Sequence, residues 1–262
     1  LSSFQIEWSE LPKYESVAIL NISPDHIDWH GSFDSYSKAK LKLLTHAKQV
    51  ILNKADPELR NRCALNQNVI WFSLDTPAPG EIGLVEELLI DRAFSPNSQE
   101  ANEISELVDI TPTVPHNVLN AMAAAALALS VGISYEKIKV GLNSITTDHH
   151  RMELVRNQNE INWIDDSKAT NPHAAAASIM ANLNVIWLAG GLAKGAQMDE
   201  LVKQCRYRIK SAILFGKDRD LIAQALKTYA PDVPIKFIDL KIDNKQLMHD
   251  VVAAAAEMAI SG

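Results

Sequence analysis

Short apolar segments alternate with helical patterns along most of this chain, and this alternation restricts the possible folds more than any other feature. Residues 16–22 and 185–189 are too uniformly apolar for strands with one solvent-exposed face, so they predict strands buried on both faces. Helical patterns follow such strands, as in the alanine- and leucine-rich residues 115–129. Strands connected through helices run parallel, so the sequence predicts an α/β fold with largely parallel sheets.

The alternation breaks at residues 146–151, where polar and charged residues replace the apolar pattern. We therefore predict two domains, residues 1–148 with a mostly parallel central sheet and residues 149–262 with a hairpin followed by a Rossmann-like alternation. A helix is predicted over residues 35–48. Prolines interrupt residues 77–113, for which the pattern allows a hairpin, an edge strand or a loop.

Length and composition exclude several classes of protein. With 262 residues, 47% of them hydrophobic, the chain can form two globular domains. A net charge of −7 argues against binding to nucleic acid or to an anionic membrane surface, and no apolar run is long enough to span a bilayer. Cys63 and Cys205 lie far apart and outside any metal-ligand spacing, so we predict neither a disulfide nor a structural zinc site.

Polar side chains follow two predicted strands at their carboxyl ends. Asp25, His26 and Asp28 come after the first strand, and Asp166 and Lys168 follow a strand in the second domain. Open parallel sheets bind ligands at this edge, and oxygen ligands with one imidazole suit Mg²⁺ or Mn²⁺ beside phosphates. The alternatives are a simple turn at the first position and a helix N-cap with an exposed lysine at the second.

Three further features could bind anions. The Gly-Gly-Leu-Ala-Lys-Gly sequence of residues 190–195 could present backbone N–H groups and the Lys194 ammonium, although a tight turn with a surface lysine explains it nearly as well. Arg151 could bind a phosphate or form an interdomain salt bridge. Lys40 is one of three lysines on a predicted helix, and a solvated helix face is its default interpretation.

Six blocks of sequence, in register along almost the whole chain, resemble the Mur ligases of peptidoglycan synthesis. The Asp-Ser-Lys-Ala-Thr-Asn block and the Gly-Gly-x-x-Lys-Gly loop are similar to those of the members that add D-glutamate. The six blocks are Leu1-Ser2-Ser3-Phe4-Gln5, Asn21-Ile22-Ser23-Pro24-Asp25-His26-Ile27-Asp28, Lys38-Ala39-Lys40, His116-Asn117-Val118-Leu119-Asn120-Ala121, His150-Arg151-Met152-Glu153 and Asp165-Asp166-Ser167-Lys168-Ala169-Thr170-Asn171.

The resemblance implies a cytoplasmic ligase that uses ATP and Mg²⁺ (or Mn²⁺) to join D-glutamate to UDP-N-acetylmuramoyl-L-alanine through an acyl phosphate, and we expect a monomer. It implies that His26 is a metal ligand, that Asp25 orients it, and that Lys40 supports the metal as a carbamate. It implies that Lys168 positions substrate. The remaining assignments are Asn117, Arg151 and Asp166 to the nucleotide, Ser2 and Gln5 to the muramoyl-alanine group, and Thr170 and Lys194 to D-glutamate.

The chain departs from the family pattern at both ends. Family members carry a UDP-binding domain, a phosphate loop and a metal-binding glutamate before the position of Leu1, and they continue beyond the position of Gly262. We therefore expect an internal portion of the enzyme that is inactive on its own. A ligase similar to folylpolyglutamate synthase, and a noncatalytic relative that keeps the fold as a binding module, are the alternatives.

Overall fold

A computed structural model describes most of the chain and divides it into two units, Leu1–Thr147 and Asp148–Gly262. The division lies one residue before the boundary placed after residue 148 from the sequence. No helix in the described part of the chain is long and apolar enough to cross a membrane. The structure describes residues 1–63, 68–95, 97, 100–193, 196–239 and 243–260.

The first unit contains a sheet whose six described strands lie side by side in the order in which the chain forms them. The first four strands run parallel, and each of the last two is antiparallel to the strand before it. The predicted mostly parallel sheet is therefore confirmed, with an antiparallel extension. The strands are β1 (Tyr14–Ile19), β2 (Ala47–Asn53), β3 (Val69–Phe72), β4 (Glu81–Val85), β5 (Leu88–Asp91) and β6 (Asn102–Glu106).

Helices cover both faces of this sheet. On one face α5 and α6 pack against Ile51 and Phe72, while on the other α3 and α4 pack against Val50 and Leu52. Successive strand residues point to opposite faces, which explains why β2 is apolar without alternation. The helices are α1 (Ser3–Trp8), α2 (Ile27–His30), α3 (Phe33–Leu41), α4 (Pro57–Cys63), α5 (Pro115–Ser130) and α6 (Tyr135–Ser144).

The predicted helix over residues 35–48 is wrong at its carboxyl end. α3 stops at Leu41, a 3₁₀ helix occupies Lys42–His46, and β2 already begins at Ala47. Ala47 pairs with Tyr14, so the parallel ladder takes up residues that the helical pattern had included. The leucines of the 3₁₀ segment still pack against the core, which is why their spacing was misleading.

Residues 77–113, where prolines interrupt the sequence pattern, contain three strands. β4 and β5 form a hairpin, and β6 pairs with β5 to complete the sheet. Glu86 takes a positive φ of 54° in the turn, a conformation more often adopted by glycine or asparagine, so the usual hairpin signal was missing. The short helices α1, α2 and α4 were also not predicted, because four to seven residues are too few to show helical periodicity.

The second unit has the predicted hairpin and Rossmann-like alternation. β7 and β8 form an antiparallel pair, and the other three strands form a parallel sheet in the order β11-β10-β9. The strands are β7 (Glu153–Gln158), β8 (Ile161–Asp165), β9 (Val185–Gly190), β10 (Ile209–Phe215) and β11 (Ile235–Phe237), and the helices are α7 (Pro172–Met180), α8 (Asp199–Cys205), α9 (Arg219–Tyr229) and α10 (Asn244–Ile260).

The parallel sheet of the second unit lies between two helical layers. Leu214 points into the cluster formed with α7, α8 and α9, while Ile213 points to the opposite face and packs against Val251 of α10. α10 begins at Asn244. Its first turns are mostly polar, and Leu247 is the core residue that marks their buried side.

Candidate functional site

The start of α1 holds Ser2 and Gln5 in fixed positions. The Ser2 hydroxyl accepts a hydrogen bond from the Gln5 N–H at 3.1 Å, and the Gln5 side-chain oxygen accepts one from the Ser2 N–H at 2.8 Å. This is a reciprocal capping box, and it orients both side chains. Both residues are exposed, so a ligand can reach them.

The loop after β1 turns sharply at His26, whose φ is 52°. The His26 N–H donates to Asp25 Oδ1 at 3.0 Å, and His26 Nε2 lies 3.8 Å from the same oxygen. Histidine adopts this left-handed conformation more readily than most residues. The turn therefore brings an imidazole and a carboxylate together, with 39% and 34% of their side chains exposed.

Lys40 lies on α3, one turn after Tyr36, with its Nζ 5.4 Å from the centre of the Tyr36 ring. Burial lowers the pKa of Lys40, and the Asp25 carboxylate opposes that effect in part. Burial also raises the pKa of Tyr36 to about 12, with Asp25 adding to the shift. Lys40 is thus partly buried near Asp25 and does not belong to a fully solvated helix face.

Aromatic rings from the first three helices form a connected group that reaches His26 through Phe4. The Phe4 ring centre lies 4.8 Å from His26 and 4.8 Å from Trp29, and His30 Nε2 lies 3.0 Å from the hydroxyl oxygen of Ser3. These contacts join the start of α1 to the loop after β1. We call this group the aromatic cluster, and its members are Phe4, Trp8, Trp29, His30 and Tyr36.

Asn117 stands in the first turn of α5, beside a cleft of about 200 Å³. Its side-chain N–H donates to the Pro112 carbonyl at 2.9 Å, which fixes the orientation of the amide. The cleft is lined by Ile110, Thr111, Asn117, Asn120, Ala121, Ala124, Leu142 and Ile145. Flat apolar groups with polar edges suit such a site, because aliphatic side chains dominate its lining and a few amides can select orientation.

In the second unit, Arg151 and Asp166 lie on two adjoining loops. Asp166 Oδ1 accepts a hydrogen bond from the Met152 N–H at 3.0 Å, and the Lys168 N–H donates to the His150 carbonyl at 3.2 Å. The Arg151 side chain is 59% exposed. The structure therefore brings these two predicted nucleotide contacts together within one unit.

Thr170 and Lys168 lie before α7, whose N-cap is Asn171, and both are exposed. Lys194, the other residue assigned to D-glutamate, and Gly195 lie outside the described residues. We call residues 190–195 the glycine loop. Its described part is fixed by Asp218, which accepts a hydrogen bond from the Ala193 N–H at 2.8 Å. Asp218 was not identified from the sequence.

Two models of known families cover the chain almost completely. The Mur ligase middle domain matches residues 1–128, and the Mur ligase glutamate ligase domain matches residues 150–260. The chain belongs to the Mur ligase family.

Curated relatives of this Mur ligase are enzymes named UDP-N-acetylmuramoylalanine–D-glutamate ligase. The one from Thermobifida fusca is 45% identical over 267 residues, and the one from Streptomyces coelicolor is 41% identical over 269 residues. Each match covers 100% of this chain and 57% of the relative. The chain therefore spans little more than half the length of these relatives.

Solved structures of other ligases share the fold at low sequence identity. A pseudomurein peptide ligase type C from Methanothermus fervidus matches with a TM-score of 0.63 and 18% identity, over 93% of this chain and 58% of that one. The UDP-N-acetylmuramate-alanine ligase MurC of Thermotoga maritima matches with a TM-score of 0.56 and 17% identity, over 91% and 53% respectively. These similarities support the two-domain Mur ligase fold.

Sequence reasoning missed two groups of residues in this Mur ligase. The aromatic cluster was overlooked because its members are spread over three short helices. The contact between His150 and Asp165, at 2.6 Å, was overlooked because the two residues lie fifteen positions apart on either side of a hairpin. In the structure this hairpin pairs Glu153 with Asp165. A prediction of that pairing would have placed His150 close to Asp165.

Proposed function

We propose that the complete protein is an ATP-dependent ligase that joins D-glutamate to UDP-N-acetylmuramoyl-L-alanine. The observation that carries this proposal is the 39–45% identity, over the whole of this chain, to relatives named for that reaction. The match of a glutamate ligase domain to residues 150–260 agrees with it. We place the reaction in the cytoplasm and expect the enzyme to act as a monomer.

The chemistry begins with the substrate carboxylate. Its oxygen attacks the γ-phosphorus of ATP and ADP leaves, which gives an acyl phosphate. The amine of D-glutamate then attacks the carbonyl carbon, phosphate leaves, and the amine loses a proton as the amide forms. Negative charge develops on the phosphoryl group and then on the tetrahedral intermediate, so cationic groups placed there lower both barriers.

His26 and Asp25 fit a divalent cation at this step. An imidazole beside a carboxylate is a donor set that accepts Mg²⁺ or Mn²⁺, and both side chains are accessible to a ligand. When bound, the cation supplies positive charge to the phosphoryl oxygens. An ammonium at Lys40 would oppose a cation here, which favours a modified lysine.

Carbamate formation at Lys40 removes that conflict. The ammonium first loses one proton. The neutral amine then attacks CO₂, forms a C–N bond and releases a second proton, so a cation becomes an anion. Because burial lowers the pKa of Lys40, more of the amine is neutral and able to react than in an exposed lysine. The resulting carbamate would support the metal site beside Asp25.

The other side chains are assigned to the three substrates. Asn117, with its cleft, would hold the adenine, and Arg151 and Asp166 would contact the remainder of the nucleotide. Ser2 and Gln5, already oriented by the capping box, would line the muramoyl-alanine site. Lys168 would help to position substrate, and Thr170 and Lys194 would bind D-glutamate.

The test measures ADP release by the complete protein in the presence of ATP, Mg²⁺, UDP-N-acetylmuramoyl-L-alanine and D-glutamate. We expect turnover that depends on both amino-acid-bearing substrates and that falls sharply when L-glutamate replaces D-glutamate. Turnover with a folate and L-glutamate would instead indicate a folylpolyglutamate synthase. Nucleotide binding without turnover on either pair would indicate a noncatalytic module. Residues 1–262 alone are expected to be inactive.

A further inference from the structure

Three side chains converge where the second unit begins. His150 Nδ1 lies 2.6 Å from Asp165 Oδ2, and the His150 N–H donates to Glu153 Oε2 at 2.8 Å. The other Asp165 oxygen, Oδ1, accepts the Ser167 N–H at 2.9 Å. The hydrogen bond with His150 is the main reason why the pKa of Asp165 is below its usual value. We call His150, Glu153 and Asp165 the His150 network.

The His150 network fixes an unusual backbone on both sides of Arg151. His150 has a φ of 67° and Met152 a φ of 50°, so two residues that are not glycine adopt the left-handed conformation around a single arginine. Such residues are uncommon and persist where surrounding contacts hold them. Here the holding contacts are those of the His150 network, the bond from the Lys168 N–H to the His150 carbonyl, and the bond from the Met152 N–H to Asp166.

We propose that His150 is a positioning residue for nucleotide binding: by joining the loop of residues 148–152 to the loop of residues 165–168, it sets the relative placement of Arg151 and Asp166. Asp165, the partner of His150, is the immediate neighbour of Asp166, so the same bond fixes both loops. This inference rests on the proposed assignment of Arg151 and Asp166 to ATP. The inference gives His150 and Asp165 a role in positioning those two residues, whereas the assignment itself gives them none.

A cation is the alternative explanation for the convergence. The ligand atoms of His150, Glu153 and Asp165 all lie within 4.8 Å of one another, a spacing that could also hold a metal ion. The hydrogen bonds already satisfy these groups, since each carboxylate accepts from a backbone N–H as well as facing a histidine. The experiment therefore includes Zn²⁺ as a separate arm.

Two variants of His150 in the complete protein separate the imidazole from the backbone. Glycine at this position adopts the positive φ without strain but has no side chain, so His150→Gly removes the imidazole, and with it the hydrogen bond to Asp165, while the native backbone conformation stays accessible. Asparagine also tolerates this conformation, and its amide nitrogen falls near the position of Nδ1, so His150→Asn can restore the bond to Asp165. Arg151→Ala serves as the reference for loss of the nucleotide contact itself.

The measurements are the affinity for a non-hydrolysable ATP analogue with Mg²⁺, the affinity for UDP-N-acetylmuramoyl-L-alanine, the thermal midpoint and amide exchange at Lys168. We expect His150→Gly to weaken binding of the analogue about tenfold, because one charge-assisted hydrogen bond is lost. His150→Asn should keep that hydrogen bond and therefore retain the affinity within about twofold. Affinity for the UDP substrate and the thermal midpoint should change little, since exposed ion pairs contribute little to folding. Exchange at Lys168 should accelerate in His150→Gly.

Several results would overturn this inference. They are unchanged analogue binding in His150→Gly, equal losses in the glycine and asparagine variants with a lower thermal midpoint, and a wild-type protein that binds no analogue. Stoichiometric Zn²⁺ binding that Glu153→Gln abolishes would assign the His150 network to a metal instead. A wild-type protein that binds the analogue but does not ligate D-glutamate would refute only the proposed function, because the binding measurements do not depend on ligation.

Discussion

Gly216, directly after β10, offers a direct test of how the glycine loop is held. Its φ is 83°, and an added Cβ would lie closer than 3.0 Å to the Gly191 nitrogen and 3.1 Å from the Gly191 Cα. In Gly216→Ala, the left-handed backbone costs about 1–2 kcal/mol of the free energy of unfolding. The overlap costs a further 1–3 kcal/mol or so, or else moves the Gly191 backbone by up to about 1 Å.

The displacement matters because Gly191 begins the loop that carries Lys194. Loss of about 1 Å of placement at a substrate contact can reduce rates a hundredfold, so we expect Gly216→Ala to raise the KM for D-glutamate by roughly tenfold or more. The KM for ATP should change much less. Chemical denaturation and steady-state kinetics of the complete protein provide both readouts.

Gly132 supplies the matched control. Its φ of 81° is nearly the same, but nothing lies within 4 Å of an added Cβ. Gly132→Ala should therefore lose only the backbone contribution, about 1–2 kcal/mol, and should leave the KM for D-glutamate unchanged. If the two variants lost equal stability and neither altered that KM, the close contact between Gly216 and Gly191 would have no part in placing the loop.

Three further predictions concern Lys40, the pair Thr170 and His26, and Asp165. Lys40→Ala should lower the ligation rate severely, and a short carboxylic acid should partly restore it by replacing the carbamate; no rescue, with an unmodified amine at Lys40 by mass spectrometry, would contradict this. Thr170→Ala should chiefly raise the KM for D-glutamate, whereas His26→Ala should chiefly slow acyl-phosphate formation, and pre-steady-state kinetics would expose a reversed pattern. Because His150 lowers the pKa of Asp165, Asp165→Asn should reduce the free energy of unfolding near neutral pH by no more than about 1 kcal/mol, as expected for a largely exposed pair, and this difference should disappear as pH falls below 3.8; a difference that persists in acid would show that charge is not its cause.

The parts of the fold that follow from hydrophobic pattern alone were accessible from the sequence. β9 and β10 are long apolar runs that must be covered on both faces, and helices with one apolar side follow each of them. The same reasoning failed at Leu43 and Leu44, because a 3₁₀ turn buries residues at nearly the same spacing as an α-helix. A hydrophobic pattern identifies buried residues more reliably than it identifies the type of secondary structure that buries them.

The candidate site also has a part that could be predicted from the sequence and a part that could not. Asp25 and His26 are adjacent in the chain, so their proximity could be anticipated from local sequence. The contact of His30 with Ser3 and that of His150 with Asp165 depend on how loops and short helices meet, and no periodic signal carries this information. The partial burial of Lys40 likewise could not be anticipated from the pattern of its own helix.

The aromatic cluster gives the first unit an optical signal of its own. Trp8 and Trp29 meet edge to face with ring centres 5.5 Å apart, close enough for their excited states to couple and for near-ultraviolet circular dichroism to record their geometry. Phe4 links Trp29 to His26, so a change in the loop after β1 alters the surroundings of a fluorophore. With 75% and 41% of their surfaces exposed, the two indoles also respond to any group that displaces water from them. We therefore expect any ligand that binds beside His26 to change the intrinsic fluorescence, without an added dye.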